Sequence, residues 1–381
     1  MTEKEKNLIL YFFGLFLSVI GLLWICVSVV PGGIVKPEPL TNDLVVRLMS
    51  GVNNSKAEAL GELAYIEKIY KIPLSATVSP EPDESCFGQI AVENAVEVEA
   101  VIEEARQLGL LDGQDMIFSP DREFFGEDIK YYLDESILVL CWQEKNNGCI
   151  CCLSEIKVRD ASQFRRKLSN NTFNSGVTDS LMKMGREANA IVAMNGDYYN
   201  FRDYGICIYD NEICRFRESS FSPGTKSYNY IDSLLIDENG DFHFFRQGEE
   251  TTGGELEKFV DDNGIMFSLS FGPVLVDDYV VQKKYEYPIG EVYKSASRAA
   301  IAQFDRLHYL YLNVSASKSG GASFGKLADI VGSFNVKDAY NLDGGQTAEI
   351  TFKNRVFNYI DYGSERYTSD CIYFATAKPS A

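Results

Sequence analysis

The sequence predicts an α+β fold: a mixed β-sheet catalytic domain with a few helices, preceded by a helical stalk and an N-terminal transmembrane helix. Three observations carry this expectation. From Asn7 to Val35 the chain has 29 residues without a charge. Apolar residues at helical spacing dominate the region up to about residue 110, where Gly109 and the Asp112-Gly113 turn end the pattern. Beyond about residue 130, short apolar runs are punctuated by Gly, Asn, Asp and Pro, the signature of many short strands with few helices between them.

The uncharged run is long enough for about 20 residues of helix across a hydrocarbon core, and it lacks the short apolar stretch and small-residue cleavage pattern of a removed signal. Lys4 and Lys6 precede it, so the positive-inside bias puts the N-terminus in the cytoplasm and the rest of the chain outside. The expected organisation is therefore a cytoplasmic tip and membrane anchor at 1–36, a helical stalk or small subdomain at 37–130, and a catalytic domain at 131–381. The stalk begins with Lys36-Pro37-Glu38-Pro39, then has a helical pattern from Asp43 to Tyr70 and another from Ile90 to Leu110.

In the body, Ile137 to Trp142 and Cys149 to Val158 flank Asn146-Asn147-Gly148 and predict a β-hairpin, because Asn-Gly supplies the positive φ that a tight turn needs. Asp160 is expected to cap a helix running through Leu168. Further strands are expected near 190–194, 205–217, 232–247, 266–276, 299–304, 307–314 and 370–377, with a helix from Phe324 to Ser333.

Composition excludes several functions. The net charge is −19, with 36 basic against 55 acidic residues, and no basic run exceeds Arg165-Arg166-Lys167, so a nucleic-acid partner is excluded. The two histidines, His243 and His308, both sit in strand-like segments and are too few for histidine-rich zinc chemistry; no metal site and no cofactor are expected. No segment has EF-hand spacing. Eight cysteines follow the apolar run and in an oxidising space can form up to four disulfides, with pairings that spacing does not determine.

The chemistry is therefore sought in carboxylates, amides and arginine at strand ends. Asn195-Gly196-Asp197 follows an apolar strand. Gly272-Pro273 enters another. Ser297-Arg298 precedes Ala299-Ala300-Ile301-Ala302, where a planar guanidinium suits bidentate phosphate capture. Ser315 to Ser323, with Gly320-Gly321, leads into a helix whose N-terminus favours anions. The most specific cluster is Asn341-Leu342-Asp343-Gly344-Gly345: Asn341 and Asp343 share a face of an extended strand, and the paired glycines admit close approach of a ligand to the backbone.

Taken in order, Asn195-Gly196, Gly272-Pro273-Val274-Leu275-Val276, Ser297-Arg298, Leu327-Ala328-Asp329-Ile330 and Asn341-Leu342-Asp343-Gly344-Gly345 resemble the phosphodiester glycosidase family over about residues 149–377. The resemblance implies an exported hydrolase that cleaves the glycosidic bond of a sugar-1-phosphate diester, with a carbohydrate phosphodiester as partner and envelope polysaccharide as the setting. The chain has Gln346-Thr347 where the family has Gly-Ser, and Ala299 where it has Thr. Asp343 and Asp197 are expected as the catalytic carboxylates, with Arg298 on the phosphate. Asn195, Gly196, Ser297, Gly320, Gly321, Asn341, Gly344, Gly345 and Thr347 are expected to contact substrate. The alternative is a non-catalytic, membrane-anchored glycan-binding or scaffold protein of the same fold. The oligomeric state is left open.

Overall fold

The computed structural model describes residues 88–92, 95–111, 116–126, 129–201, 205–216, 232–247, 251–285 and 294–377. These all lie in the second of two compact units, which spans Pro82–Ala381. The anchor expected at 7–35, and residues 37–87 of the stalk expected at 37–130, fall outside the described residues. Among the described residues no helix is long and apolar enough to cross a membrane.

In chain order the strands are β1 (Gly88–Val92), β2 (Ile129–Leu133), β3 (Ile137–Asn146), β4 (Cys149–Val158), β5 (Phe164–Leu168), β6 (Val192–Asn195), β7 (Cys207–Tyr209), β8 (Glu212–Arg215), β9 (Asp232–Asp237), β10 (Phe242–Arg246), β11 (Ile265–Leu269), β12 (Val274–Asp277), β13 (Val280–Val281), β14 (Arg298–Asp305), β15 (His308–Val314), β16 (Asp338–Leu342), β17 (Ile350–Phe352), β18 (Arg355–Val356) and β19 (Asp370–Phe374). The helices are α1 (Ala95–Gln107), α2 (Leu181–Glu187), α3 (Gly253–Asn263), α4 (Ala316–Ser319) and α5 (Phe324–Gly332).

A nine-stranded sheet in the order β1-β2-β3-β4-β15-β14-β16-β12-β13 forms the platform. A five-stranded sheet, β18-β17-β6-β19-β5, and a three-stranded one, β10-β9-β11, accompany it. The α+β class holds. The pairings among the described strands are antiparallel, a narrower arrangement than the expected mixed sheet.

The apolar runs are continuous because the platform is covered on both faces. Successive residues of β3 divide between two cores: Leu138, Leu140 and Trp142 join α1 and α5, while Ile137, Val139 and Cys141 face the core shared with the smaller sheets. On β14, Ala300 and Ala302 go one way and Ala299 and Ile301 the other. Polar residues inside this body are matched. Glu155 accepts the Ile117 and Phe118 backbone N–H groups at 2.6 and 3.1 Å and pairs with His308 at 2.9 Å, so His308 is structural as its strand position suggests.

Two expectations are corrected. The boundary at residue 130 falls inside the sheet: β2 pairs with β1 on one side and with β3 on the other, so residues 88–133 belong to the same body as the strands that follow. The helix expected from Asp160 to Leu168 is a single 3-10 turn, Ala161–Gln163. Asp160 does cap it, accepting the Ser162 N–H at 2.9 Å while Gln163 returns to the Asp160 N–H at 3.0 Å. The chain then extends as β5, because Phe164, Arg166 and Leu168 all find partners across β19 that a helix would deny them. Phe164 stacks on Phe374 at 4.6 Å and meets Tyr309 at 5.1 Å and Phe267 at 5.2 Å, with only 4% of it exposed.

Truncating that ring removes the contact among three sheets. Phe164→Ala is expected to lower the unfolding free energy by about 3–5 kcal/mol, read from urea denaturation. A loss below about 1 kcal/mol, typical of a surface position, would contradict this packing.

Candidate active site

The expected site residues gather where β6, β16 and β19 meet the loops that follow or precede them, and a buried ion cluster holds that junction. Arg166 of β5 donates from Nε to Asp370 at 2.8 Å and from Nη2 to Asp197 at 3.0 Å, and Nη1 donates to the Ser268 carbonyl. All three charged side chains are fully buried. Burial alone would lower the guanidinium's proton affinity, but Asp197 and Asp370 outweigh it and raise it further. Burial also raises the Asp370 carboxyl, against the pull of Arg166.

This corrects the role expected of Asp197. Its Oδ1 takes Arg166 and its Oδ2 takes the Ser270 N–H at 2.7 Å, so the carboxylate is spent inside the frame. Gly196 is equally structural, since a Cβ there would lie 2.2 Å from Asp370 Oδ2. Asn195 does not face a sugar either. Its Nδ2 donates to the Asp343 carbonyl at 2.8 Å and its Oδ1 accepts the Glu349 N–H at 3.2 Å, so it pins both ends of the 343–349 loop.

Within that loop Asn341 and Asp343 part company, because β16 ends at Leu342. Asn341 is buried and donates to the Gly272 carbonyl at 2.7 Å, steadying the turn before β12. Asp343 is partly exposed, with Oδ1 accepting the Gly344 N–H at 2.9 Å. Gly344 must be glycine because a Cβ would meet the Ser297 carbonyl at 2.7 Å, and the Gly345 N–H donates to the same carbonyl at 2.8 Å. Gly345, at φ 64°, borders open space. Thr347 is buried and donates to the Gly344 carbonyl at 2.6 Å.

Ser297 and Arg298 serve the frame as well. Ser297 Oγ accepts the Ala316 N–H at 2.8 Å and donates to Asp361 at 2.9 Å. Arg298 is only 4% exposed, donates to the Ala322 and Lys294 carbonyls at 3.1 and 2.9 Å, and lies 4.3 Å from the Phe324 ring centroid. Gly321 is packed on the Ala296 backbone, whereas Gly320, at φ 78° after α4, faces open space. Of the expected site residues, Asp343, Gly344, Gly345 and Gly320 keep solvent exposure, and they mark the mouth of the junction.

Sequence reasoning missed the segment that borders this mouth from the other side, residues 361–368. It is fastened by Ser297 to Asp361, by Gln346 Nε2 to the Ser364 carbonyl at 3.1 Å, and by the Met182 N–H to Glu365 at 3.0 Å. Glu365 also meets the side chain of Glu349. Arg366 is exposed beside them and acts electrostatically on Asp343. No turn or glycine motif marks Glu349, Glu365 or Arg366. Arg166 was visible only as part of a basic run, and Asp370 only as the start of a strand.

The surroundings of Asp343 are dense enough that burial pushes its carboxyl up to about 6, against hydrogen bonding and Arg366. Glu349, 1% exposed, goes up to about 9 through burial and then through Glu365. A cleft of about 390 Å³ opens elsewhere, beside β10 and the start of β16. It contains none of the expected site residues, and within it Arg246 pairs with Asp277 at 2.7 Å and Lys337 with Asp338 at 3.4 Å. Among the described residues no cluster of His, Cys, Asp and Glu could hold a metal ion.

Both raised carboxyls bind protons more readily in the fold than in the unfolded chain, so the stability they contribute is present below pH 4 and lost as pH rises through about 6 for Asp343 and about 9 for Glu349. Stability is expected to fall from pH 5 to pH 9. Glu349→Gln keeps the shape of the protonated acid and should flatten the upper part of that decline in denaturation curves at pH 6 and pH 9. An unchanged slope would show that Glu349 is not held protonated.

A family model described as phosphodiester glycosidase matches residues 188–375. No curated protein matches the sequence. Among solved structures, the chain is similar to a hypothetical protein from Synechocystis, with 15% identity, a TM-score of 0.46 and coverage of 65% of this chain and 64% of that one. It is also similar to the catalytic domain of zebrafish N-acetylglucosamine-1-phosphodiester alpha-N-acetylglucosaminidase, auto-inhibited by its pro-peptide, with 12% identity, a TM-score of 0.49 and coverage of 77% and 96%. The chain thus spans just under two thirds of the Synechocystis protein. Residues 188–375, with Asn195, Arg298 and Asp343 among them, form a segment of the phosphodiester glycosidase family.

Proposed function

We propose that the protein is a hydrolase that cleaves the glycosidic bond of a sugar-1-phosphate diester. The observation that carries this reading is Asp343: of the two expected catalytic carboxyls it is the one that keeps solvent exposure, on a loop where Gly345 borders open space, and its pKa is raised to about 6. Glycoside cleavage needs a carboxylate at the anomeric centre. A phosphodiester leaves as a weak base and needs little protonation, so one exposed carboxylate with an anion-binding partner suffices. Gly344, Gly345 and Gly320 let the sugar approach the backbone, while Asn195, Gly196, Asp197, Ser297, Arg298, Gly321, Asn341 and Thr347 hold the loops in place around it.

The wider proposal is an exported enzyme anchored through residues 7–35, with the catalytic body outside the cytoplasm, acting on an envelope polysaccharide. The uncharged run and the lysines before it support the anchor. The seven described cysteines are free thiols, and six of them are buried. Burial raises Cys141 and Cys152 to about 12, so these thiols stay neutral and unreactive in an oxidising space. A non-catalytic glycan-binding role is the second reading. The commitment of Asp197 to the buried cluster favours it, because that removes one of the two expected catalytic carboxylates.

The test is release of free sugar from synthetic methyl diesters of sugar-1-phosphates by the full chain in detergent. Asp343→Asn is expected to lower kcat by about 10²–10⁴-fold with an unchanged circular dichroism spectrum. If Asp343 acts ionised, the acid limb of the pH–rate profile lies near 6. Tight binding without release favours the second reading, and an Asp343→Asn protein of full activity removes the assignment.

A further inference from the structure

We infer that Arg366, rather than Arg298, is the guanidinium that receives the phosphate of the substrate. This rests on the hydrolase reading for the identity of the substrate, but it makes its own claim about where an anion binds. Arg298 is the residue that its motif singles out, yet its fork is already in use. It is 4% exposed, bonded to two backbone carbonyls, and set over the Phe324 ring. Turning it toward a ligand would leave the Ala322 and Lys294 carbonyls without those donors and loosen the loop that carries Gly320 and Gly321.

Arg366 is in the opposite condition. Its side chain is exposed and makes no hydrogen bond or ion pair among the described residues. The backbone on either side is fixed. Ser364 accepts from Gln346, Glu365 accepts from Met182, and Thr368 exchanges backbone hydrogen bonds with Asp179 at 2.8 and 3.0 Å. The same segment presents Tyr362 at 91% exposure and φ 63°, a left-handed conformation that a bulky residue rarely adopts without a reason in the surrounding structure. The segment is thus pinned through the Ser364 carbonyl, the Glu365 side chain and the Thr368 backbone, and it leaves Arg366 exposed near enough to act on Asp343. A guanidinium there offers two parallel N–H donors to a phosphate diester, next to the carboxyl that meets the sugar.

A purely structural Arg366 would only offset the charge of Asp343 and Glu365, and its loss would shift the pH profile without touching anion affinity. Binding of inorganic phosphate to the full chain, followed by titration calorimetry at pH 6 and low salt, separates these roles. Arg366→Gln is expected to weaken phosphate binding by about 10- to 100-fold, with Arg366→Lys intermediate and the thermal midpoint unchanged. For the methyl diesters, KM should rise by a similar factor while kcat changes little. Phosphate bound by the wild type and lost in Arg366→Gln supports the inference even if no diester is cleaved, in which case the hydrolase reading alone falls. Equal phosphate affinity in wild type and Arg366→Gln, or no phosphate binding by the wild type at pH 6, overturns it.

Discussion

One buried guanidinium sets the geometry on which the rest of the site depends. Arg166 sits between Asp197 and Asp370, all three fully buried, and it ties β5 and β19 to the end of β6 and, through the Ser268 carbonyl, to β11. Burying three charges is costly, and such clusters are not a source of net stability. Their effect is directional. Once the cost is met by mutual pairing, removing any member strands the others, so the three strands have one acceptable register. The Asp197 N–H also donates to Asp370 at 3.1 Å, which draws the chain after β6 so close that residue 196 has no room for a side chain.

That register then fixes the mouth. Asn195 stands at the end of β6 with its amide between the Asp343 carbonyl and the Glu349 N–H, so the position of the 343–349 loop is inherited from the ion cluster. On the other side, the loop rests on Ser297, whose carbonyl takes the Gly345 N–H and lies too near Gly344 to allow a Cβ. Asp343 is thus held from both sides through backbone contacts, with its own carboxyl left at the rim. Rigid support from behind is what can hold a rim group within a few tenths of an ångström of one position.

How much of this was readable in the sequence follows from which interactions are local. Turns and strands are local, so the β3–β4 hairpin, the paired strands β14 and β15, and the capped helix α5 all lie where periodicity and turn residues put them. Thr252 and Glu255 form a capping box that marks the start of α3, a signal that was present and went unused. The sequence predicts a helix where β5 lies because Asp160 is a genuine cap, and only the long-range pairing with β19, some 200 residues away, decides that the turn it starts is not continued. The motif residues did converge on one junction, but spacing could not divide those that reach the mouth from those that build it. Arg298 and Asp343 carry equally suggestive neighbours in sequence, and only burial distinguishes a guanidinium bonded to carbonyls from a carboxyl at the rim.

The net charge of −19 poses the remaining physical question, because an anionic diester would be repelled at long range by such a body. At physiological salt that field is screened within about 8–10 Å, so the local balance at the mouth decides admission. That balance is less negative than the residue count suggests. Asp197 and Asp370 share Arg166, and Glu349 holds its proton to about pH 9, so it counts as neutral in the working range. Asp343 itself is neutralised as the pH falls through about 6. What is left facing solvent is Asp361, which accepts from Ser297, Glu365, already turned toward Met182 and Glu349, and the cation of Arg366. Burial therefore does more than raise individual pKa values here. By suppressing charge on Glu349, and on Asp343 below about pH 6, it leaves the junction less negative than its carboxyl count.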